Sequence, residues 1–93
     1  MGGSSYLNLG SILLNRGNVK DAADALKKSL TYDNRNPDTY YQLGLAYFSS
    51  PENNAEALAD LQKYLQLAPT GQYAASAKQL IDSMKDTSQT PKK

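Results

Sequence analysis

The side chains that most often do chemistry are scarce in this sequence of 93 residues, which has no histidine and no cysteine. The usual imidazole base, thiol nucleophile and imidazole or thiolate metal ligands are therefore missing. Two carboxylate pairs, Asp21 with Asp24 and Glu56 with Asp60, are spaced to share a helix face. Such pairs are far more often solvated than metal-bound, and no glycine-rich phosphate loop occurs. We therefore expect no enzyme activity, no cofactor, no metal site and no small-molecule substrate.

The charge balance and the length of the apolar runs argue against two classes of partner. The net charge is +1, and without Lys92 and Lys93 eight basic residues remain against nine acidic ones. No basic stripe of the kind that neutralises phosphates is present, so we expect no nucleic-acid binding. No apolar run approaches the roughly 18 residues of a membrane span, so we expect no membrane insertion. A soluble protein of the cytoplasm or the periplasm fits equally, and the compartment stays open.

An internal repeat organises the elements that would position any site. One set of positions recurs after 34 residues, in which Tyr6, Leu9, Gly10 and Leu13 match Tyr40, Leu43, Gly44 and Tyr47. A second set recurs after 35 residues, in which Ala22, Leu26 and Leu30 match Ala57, Leu61 and Leu65. The difference of one residue falls near Ser50, where we predict a loop, and loops accept insertions at low cost.

Apolar spacing and capping residues predict five helices. In the first unit they cover residues 4–15 and 19–32, with a turn at Gly17-Asn18. In the second unit the starts Asn36-Pro37-Asp38 and Ser50-Pro51-Glu52 predict helices ending near Phe48 and Ala68. A fifth helix is predicted at 72–86, with Thr70 as its cap, and its single apolar stripe with an opposite polar face is typical of a terminal cap in a repeat stack.

This period and pattern resemble the tetratricopeptide repeat family, whose signature is W-x2-L-G-x2-Y followed by spaced small and apolar residues. The second unit matches at Tyr40, Leu43, Gly44, Tyr47, Ala57, Leu61 and Pro69, and the first matches less fully. The resemblance implies an all-α solenoid of two antiparallel helix-turn-helix repeats, at 3–36 and 37–70, plus the capping helix. That single domain spans 4–86, between an added tail at 1–3 and a disordered tail at 87–93. The cap resembles terminal helices that are common after such repeats in bacterial proteins.

The resemblance also implies a binding surface, because the first helix of each hairpin lines a concave groove in this family. The residues one step round from the core stripe would form a peptide-binding groove of Leu7, Ser11, Leu14, Tyr41, Leu45, Phe48 and Leu80. Family members that clamp a peptide carboxylate use Lys, Arg and Asn on these surfaces, whereas the corresponding places here hold Leu7, Ser11, Tyr41 and Leu45, so we expect no such clamp. The implied role is a scaffold that binds an apolar or amphipathic peptide or helix of another protein.

Two alternatives stay open from the sequence. Neighbouring helices of the same chain would equally well cover the second apolar stripe of Tyr41, Leu45 and Phe48. Two repeats also fall below the three usually needed for stability, which favours self-assembly as a homodimer or by exchange of the cap. Finally, Tyr64 stands where the family has a small residue, and we expect looser packing of its helix there.

Overall fold

Five helices form the described part of the chain, as the sequence predicts. The computed structural model describes the backbone of residues 3–88 and the side chains of residues 5–50 and 52–84. The helices are α1 (Gly3–Asn15), α2 (Val19–Tyr32), α3 (Pro37–Phe48), α4 (Asn54–Leu67) and α5 (Ala74–Ser88), with a 3-10 turn at Pro51–Asn53. No strand occurs in this part of the chain, so the all-α prediction is confirmed.

Local signals place the boundaries of the first three helices. Gly17 ends α1 with a positive φ of 82°, and the backbone N–H of Asn18 donates to the carbonyl of Leu13 at 2.9 Å. This is the glycine-terminated helix end in which a left-handed residue lets the last carbonyls be satisfied. At α3, the side chain of Asn36 accepts a bond from the N–H of Asp38, and Pro37 occupies the first turn. The predicted bounds of α2 agree with the structure.

The last two helices begin later than predicted. Pro51–Asn53 forms the 3-10 turn, so α4 starts at Asn54 rather than near residue 51. α5 starts at Ala74 instead of residue 72. The backbone N–H of Ala74 donates a hydrogen bond to the carbonyl of Gly71, and the predicted cap Thr70 lies outside the helix. The same helix continues to Ser88, beyond the predicted end at 86. Gly3 likewise belongs to α1, while residues 1–2 and 89–93 lie outside the described part.

Each hairpin closes where a glycine faces a leucine. A Cβ added to Gly10 would lie 2.5 Å from Cγ of Leu26, and one added to Gly44 would lie 2.7 Å from Cγ of Leu61. Such distances are far below van der Waals contact, so only glycine lets these leucines pack against the helix backbone. Leu26 and Leu61 are fully buried as a result.

The hairpins stack through two apolar clusters. Besides the pairs within each hairpin, α2 packs on α3 and α4 packs on α5. The first cluster joins α2 to α3 through Ala23, Leu26, Leu43 and Ala46. The second joins α3 and α4 to α5 through Tyr41, Ala57, Leu61, Tyr64, Ala74, Ala77, Ile81 and Met84. The cap therefore closes the core at the end of the second unit.

Candidate functional site

The predicted groove residues occupy equivalent positions of the two repeats. A spacing of 34 residues relates Leu7 to Tyr41, Ser11 to Leu45 and Leu14 to Phe48. The first of each pair lies on α1 and the second on α3, which pack side by side, and Leu80 lies on α5. The repeat thus gives the two inner helices a common register along the expected groove.

Tyr41, one of the predicted groove residues, is almost fully buried. Its side chain is only 8% exposed. Its ring stacks on Tyr73 with centroids 4.4 Å apart and planes 4° apart, and it meets Tyr64 at 5.5 Å. Tyr73 immediately precedes α5, so the start of the cap covers this part of the second apolar stripe. The sequence left open whether other parts of the same chain cover the second apolar stripe, and at Tyr41 they do.

The rest of the predicted surface is only partly covered. Leu7 and Leu14 are half-buried against the α2–α3 cluster. Leu45 and Leu80 are half-buried against the cluster that joins the cap. Phe48, the last residue of α3, is exposed at 36% of its surface. Phe48 and the half-buried leucines of the predicted groove therefore keep part of their apolar surface exposed, whereas Tyr41 does not.

A polar cavity lies elsewhere, between the two hairpin turns. It has a volume of about 750 Å³ and is lined by Gly17–Asp21 on one side and Ser50, Glu52 and Asn53 on the other. Lys27 borders it with its ammonium 5.7 Å from the ring centroid of Tyr47, and hydrogen bonding to Tyr47 is the main reason that the pKa of this lysine is raised. None of the predicted groove residues lines this cavity.

Among the described side chains, the carboxylates form no cluster that could hold a metal. No three His, Cys, Asp or Glu side chains of residues 5–50 and 52–84 come together in a suitable group. Burial raises the pKa of Asp60 to about 6, and repulsion by Glu56 adds to this while Lys27 opposes it. This carboxyl lies on α4, and its raised pKa follows mainly from its burial there.

Two positions differ from the sequence prediction in instructive ways. Leu9, assigned to the core stripe, is 44% exposed, because no helix lies against that side of α1 in the described chain. Tyr64, expected to loosen α4, is 1% exposed, and its hydroxyl oxygen accepts the backbone N–H of Tyr73 at 2.9 Å. The nearby Gly71 signals this contact, since a Cβ there would collide with the Tyr64 hydroxyl.

The hairpin architecture and its glycine–leucine contacts define a helical repeat protein. A family model of the TPR repeat matches residues 10–50, and one of the tetratricopeptide repeat matches residues 37–70. The chain belongs to the tetratricopeptide repeat family. Repeats of this family generally mediate protein–protein interaction or scaffolding, and they are typically non-catalytic. No match was found among curated proteins. No helix within residues 3–88 is long and apolar enough to cross a bilayer.

Proposed function

We propose that the protein is a non-catalytic interaction module that binds an apolar or amphipathic helix on an apolar strip formed by Ser11 and Leu14 of α1 and Leu45 and Phe48 of α3. The observation that carries this proposal is Phe48, a large aromatic side chain left 36% exposed beside half-buried leucines. Exposed apolar side chains grouped on one surface favour a protein partner. The general role of the repeat family supports the same class of function.

The chemistry of the strip defines the ligand. Its exposed and half-exposed members are Ser11, Leu14, Leu45 and Phe48, none of which is charged. A ligand would therefore be held by apolar burial, with Ser11 as the one hydroxyl able to bond a polar group. Tyr41, on the same helix as Leu45 and Phe48, is held by its stack on Tyr73. Binding should depend little on salt, because no ion pair contributes to it.

A peptide selection tests the proposal. The full chain is used to select binders from a displayed library of amphipathic 16-residue helices, and the affinity of the selected peptide is then measured against variants. Phe48→Gln removes the exposed aromatic, and Ser11→Lys introduces a long charged side chain into the strip. We expect each to weaken binding by about tenfold or more, since each removes or blocks apolar burial.

Leu67→Gln is the matched control. Leu67 is the last residue of α4, as Phe48 is of α3, and it is 40% exposed. Binding should be unchanged in this variant. Equal loss in Phe48→Gln and Leu67→Gln, or no loss in either strip variant, would exclude the strip as the binding site. Light scattering of the free chain identifies the self-assembly alternative, in which Phe48→Gln would convert a dimer to a monomer.

A further inference from the structure

The C-terminal ends of α2 and α4 carry open apolar side chains at the same repeat position. Tyr32 is 60% and Leu67 is 40% exposed, and 35 residues separate them in the sequence. The same spacing relates Lys28 to Lys63, each about one helical turn before its apolar residue. A shallow concavity of about 430 Å³ adjoins Tyr32 and Arg35. We call these five residues the basic edge, and it shares none of them with the strip.

Aromatic rings hold both lysines of the basic edge in place. The ammonium of Lys28 lies 5.9 Å from the ring centroid of Tyr6, and that ring stacks on Tyr32 with centroids 5.6 Å apart. In the second unit, the ammonium of Lys63 lies 5.9 Å from the ring centroid of Tyr40. Cations within about 6 Å of a ring centroid are attracted to it. The two repeats therefore present a lysine and an open apolar side chain in the same arrangement.

The segment between α2 and α3 joins the two halves of the edge. The hydroxyl of Tyr40 donates a hydrogen bond at 2.9 Å to the carbonyl of Asn34. Beside it, the Arg35 side chain is 89% exposed, with its Nε 3.8 Å from a carboxylate oxygen of Asp33. That oxygen also accepts the backbone N–H of Arg35 at 3.0 Å. An exposed pair of this kind is weak, so the guanidinium remains able to bind a second carboxylate.

Charge is divided along α2 and α4. Residues 27–36 and 62–71 contain four basic residues and one acidic residue, whereas residues 19–26 and 52–61 contain one basic and five acidic residues. Among the described side chains, neither Lys28 nor Lys63 forms an ion pair. The basic edge is therefore a positive surface in a chain whose net charge is only +1, and it is complementary to an acidic partner.

We propose that the basic edge binds an acidic amphipathic segment of a partner protein. Carboxylates of the segment pair with Lys28, Arg35 and Lys63, while its apolar side chains pack on the open ring and leucine. On each helix the lysine and the apolar residue lie about 6 Å apart along the axis, because they are four positions apart. The segment therefore carries acidic and apolar side chains at a similar spacing, which a strand or a helix provides.

A peptide fits this surface better than other anionic partners do. Three cations are fewer than the roughly four to eight that an anionic membrane attracts. They are also fewer than the roughly six to ten phosphate contacts of a DNA-binding protein, and a phosphate backbone offers no apolar group to Tyr32 or Leu67. A second copy carries five of its nine acidic residues on the opposite halves of α2 and α4, so its contact would be head-to-tail and would form rings or filaments.

Two displayed libraries of short peptides test the proposal, with the full chain as the target. In one library half of the positions are Asp or Glu and the others are Leu, Ile or Phe, and in the second Lys or Arg replaces the acidic residues. We expect binders from the acidic library only, because the basic peptides meet like charges. The affinity of a selected acidic peptide should fall about fivefold between about 0.05 M and about 0.5 M NaCl, since salt screens exposed ion pairs.

Protein variants locate the contact. Lys28→Glu should weaken the selected peptide by about fivefold through charge reversal, and Leu67→Gln by about fivefold through lost apolar burial. Lys20→Glu is the matched control, because it makes the same charge change at an exposed position in the first turn of α2. It should leave the affinity unchanged, and so should Phe48→Gln, which alters only the strip. Circular dichroism of each variant checks that the fold is kept.

Four results would overturn the proposal. The first is no binder from the acidic library, or equal enrichment from the basic one. The second is a peptide that loses affinity in Phe48→Gln but not in Lys28→Glu, because it would then use the strip. The third is binding of the free chain to vesicles of phosphatidylcholine and phosphatidylserine that Lys28→Glu abolishes, since the edge would then face a membrane. The fourth is an oligomer in light scattering that Lys28→Glu dissociates, since a second copy would then be the occupant.

Discussion

The backbone N–H of Tyr73 donates a hydrogen bond to the hydroxyl oxygen of Tyr64 at 2.9 Å. This bond joins the end of the second repeat to the segment that leads into α5, and Tyr64 is 1% exposed at that junction. The same Tyr73 ring stacks on Tyr41. Three tyrosines from three parts of the chain therefore hold the start of the cap against α3 and α4. The cap thus determines how much of the apolar stripe on α3 remains open.

Tyr64→Phe should lower the free energy of unfolding by about 1–2 kcal/mol, because it leaves the partly buried N–H of Tyr73 without its acceptor. Urea denaturation followed by circular dichroism measures this change. Tyr41→Phe is the control, since it removes a hydroxyl from the same cluster and keeps the ring stack. Its effect should stay within about 0.5 kcal/mol. Equal losses in the two variants would show that the Tyr64 bond contributes no stability.

Gly44→Ala should destabilise the fold by about 1–3 kcal/mol through overpacking, although alanine is the better helix former by about 1 kcal/mol. The new Cβ would lie 2.7 Å from Cγ of Leu61, in a fully buried contact. Asn8→Ala, at an exposed position of α1, should be neutral or slightly stabilising. Thermal unfolding distinguishes the two, and a gain in stability for Gly44→Ala would mean that the helices do not approach as closely as described.

The pKa of Asp60, raised to about 6, predicts a pH-dependent loss of stability. Below about pH 4 the carboxyl is protonated in both states and contributes nothing. As the pH rises from about 4 to 6, the unfolded chain releases the proton more readily than the folded one, so stability falls. Discounting for solvent screening, the loss is about 1 kcal/mol by pH 7.

Asp60→Asn should therefore stabilise the protein by about 1 kcal/mol at pH 7 and leave it unchanged near pH 3.5. Lys27→Gln should enlarge the loss between these pH values, because Lys27 is the cation that opposes the shift in the pKa of Asp60. Urea midpoints at several pH values provide the measurement. A stabilisation by Asp60→Asn that is the same at both ends of the range would contradict this account.

The helices and hairpins were predictable because their signals are local. The turn at Gly17 and the start at Asn36-Pro37 depend on residues that are neighbours in sequence, and both were placed correctly. The 34-residue repeat also predicted part of the packing, because it placed Gly10 and Gly44 where the two helices of each hairpin approach closely. The start of α5 was missed because the four residues after Pro69 form turns and a bend before the helix begins at Ala74.

Exposure was harder to predict because it depends on what lies next to each unit. Leu9 and Leu43 occupy the same repeat position, yet only Leu43 is buried, since α2 lies against it and nothing described lies against Leu9. Tyr64 breaks the family pattern, but Tyr73 provides it with a partner nine residues away. Tyr41 was assigned to the groove for the same reason, because its spacing does not reveal the stack that covers it.

Chemical-shift mapping of the selected peptide on the full chain tests the central claim most directly. Backbone amide shifts are followed by NMR as the peptide is added, in wild type and in Phe48→Gln. We predict that the largest changes in wild type occur at Leu14, Leu45 and Phe48, and that they vanish in the variant at the same peptide concentration. Changes confined to α4 and the outer side of α5, with an undiminished response in Phe48→Gln, would contradict a binding site on the strip.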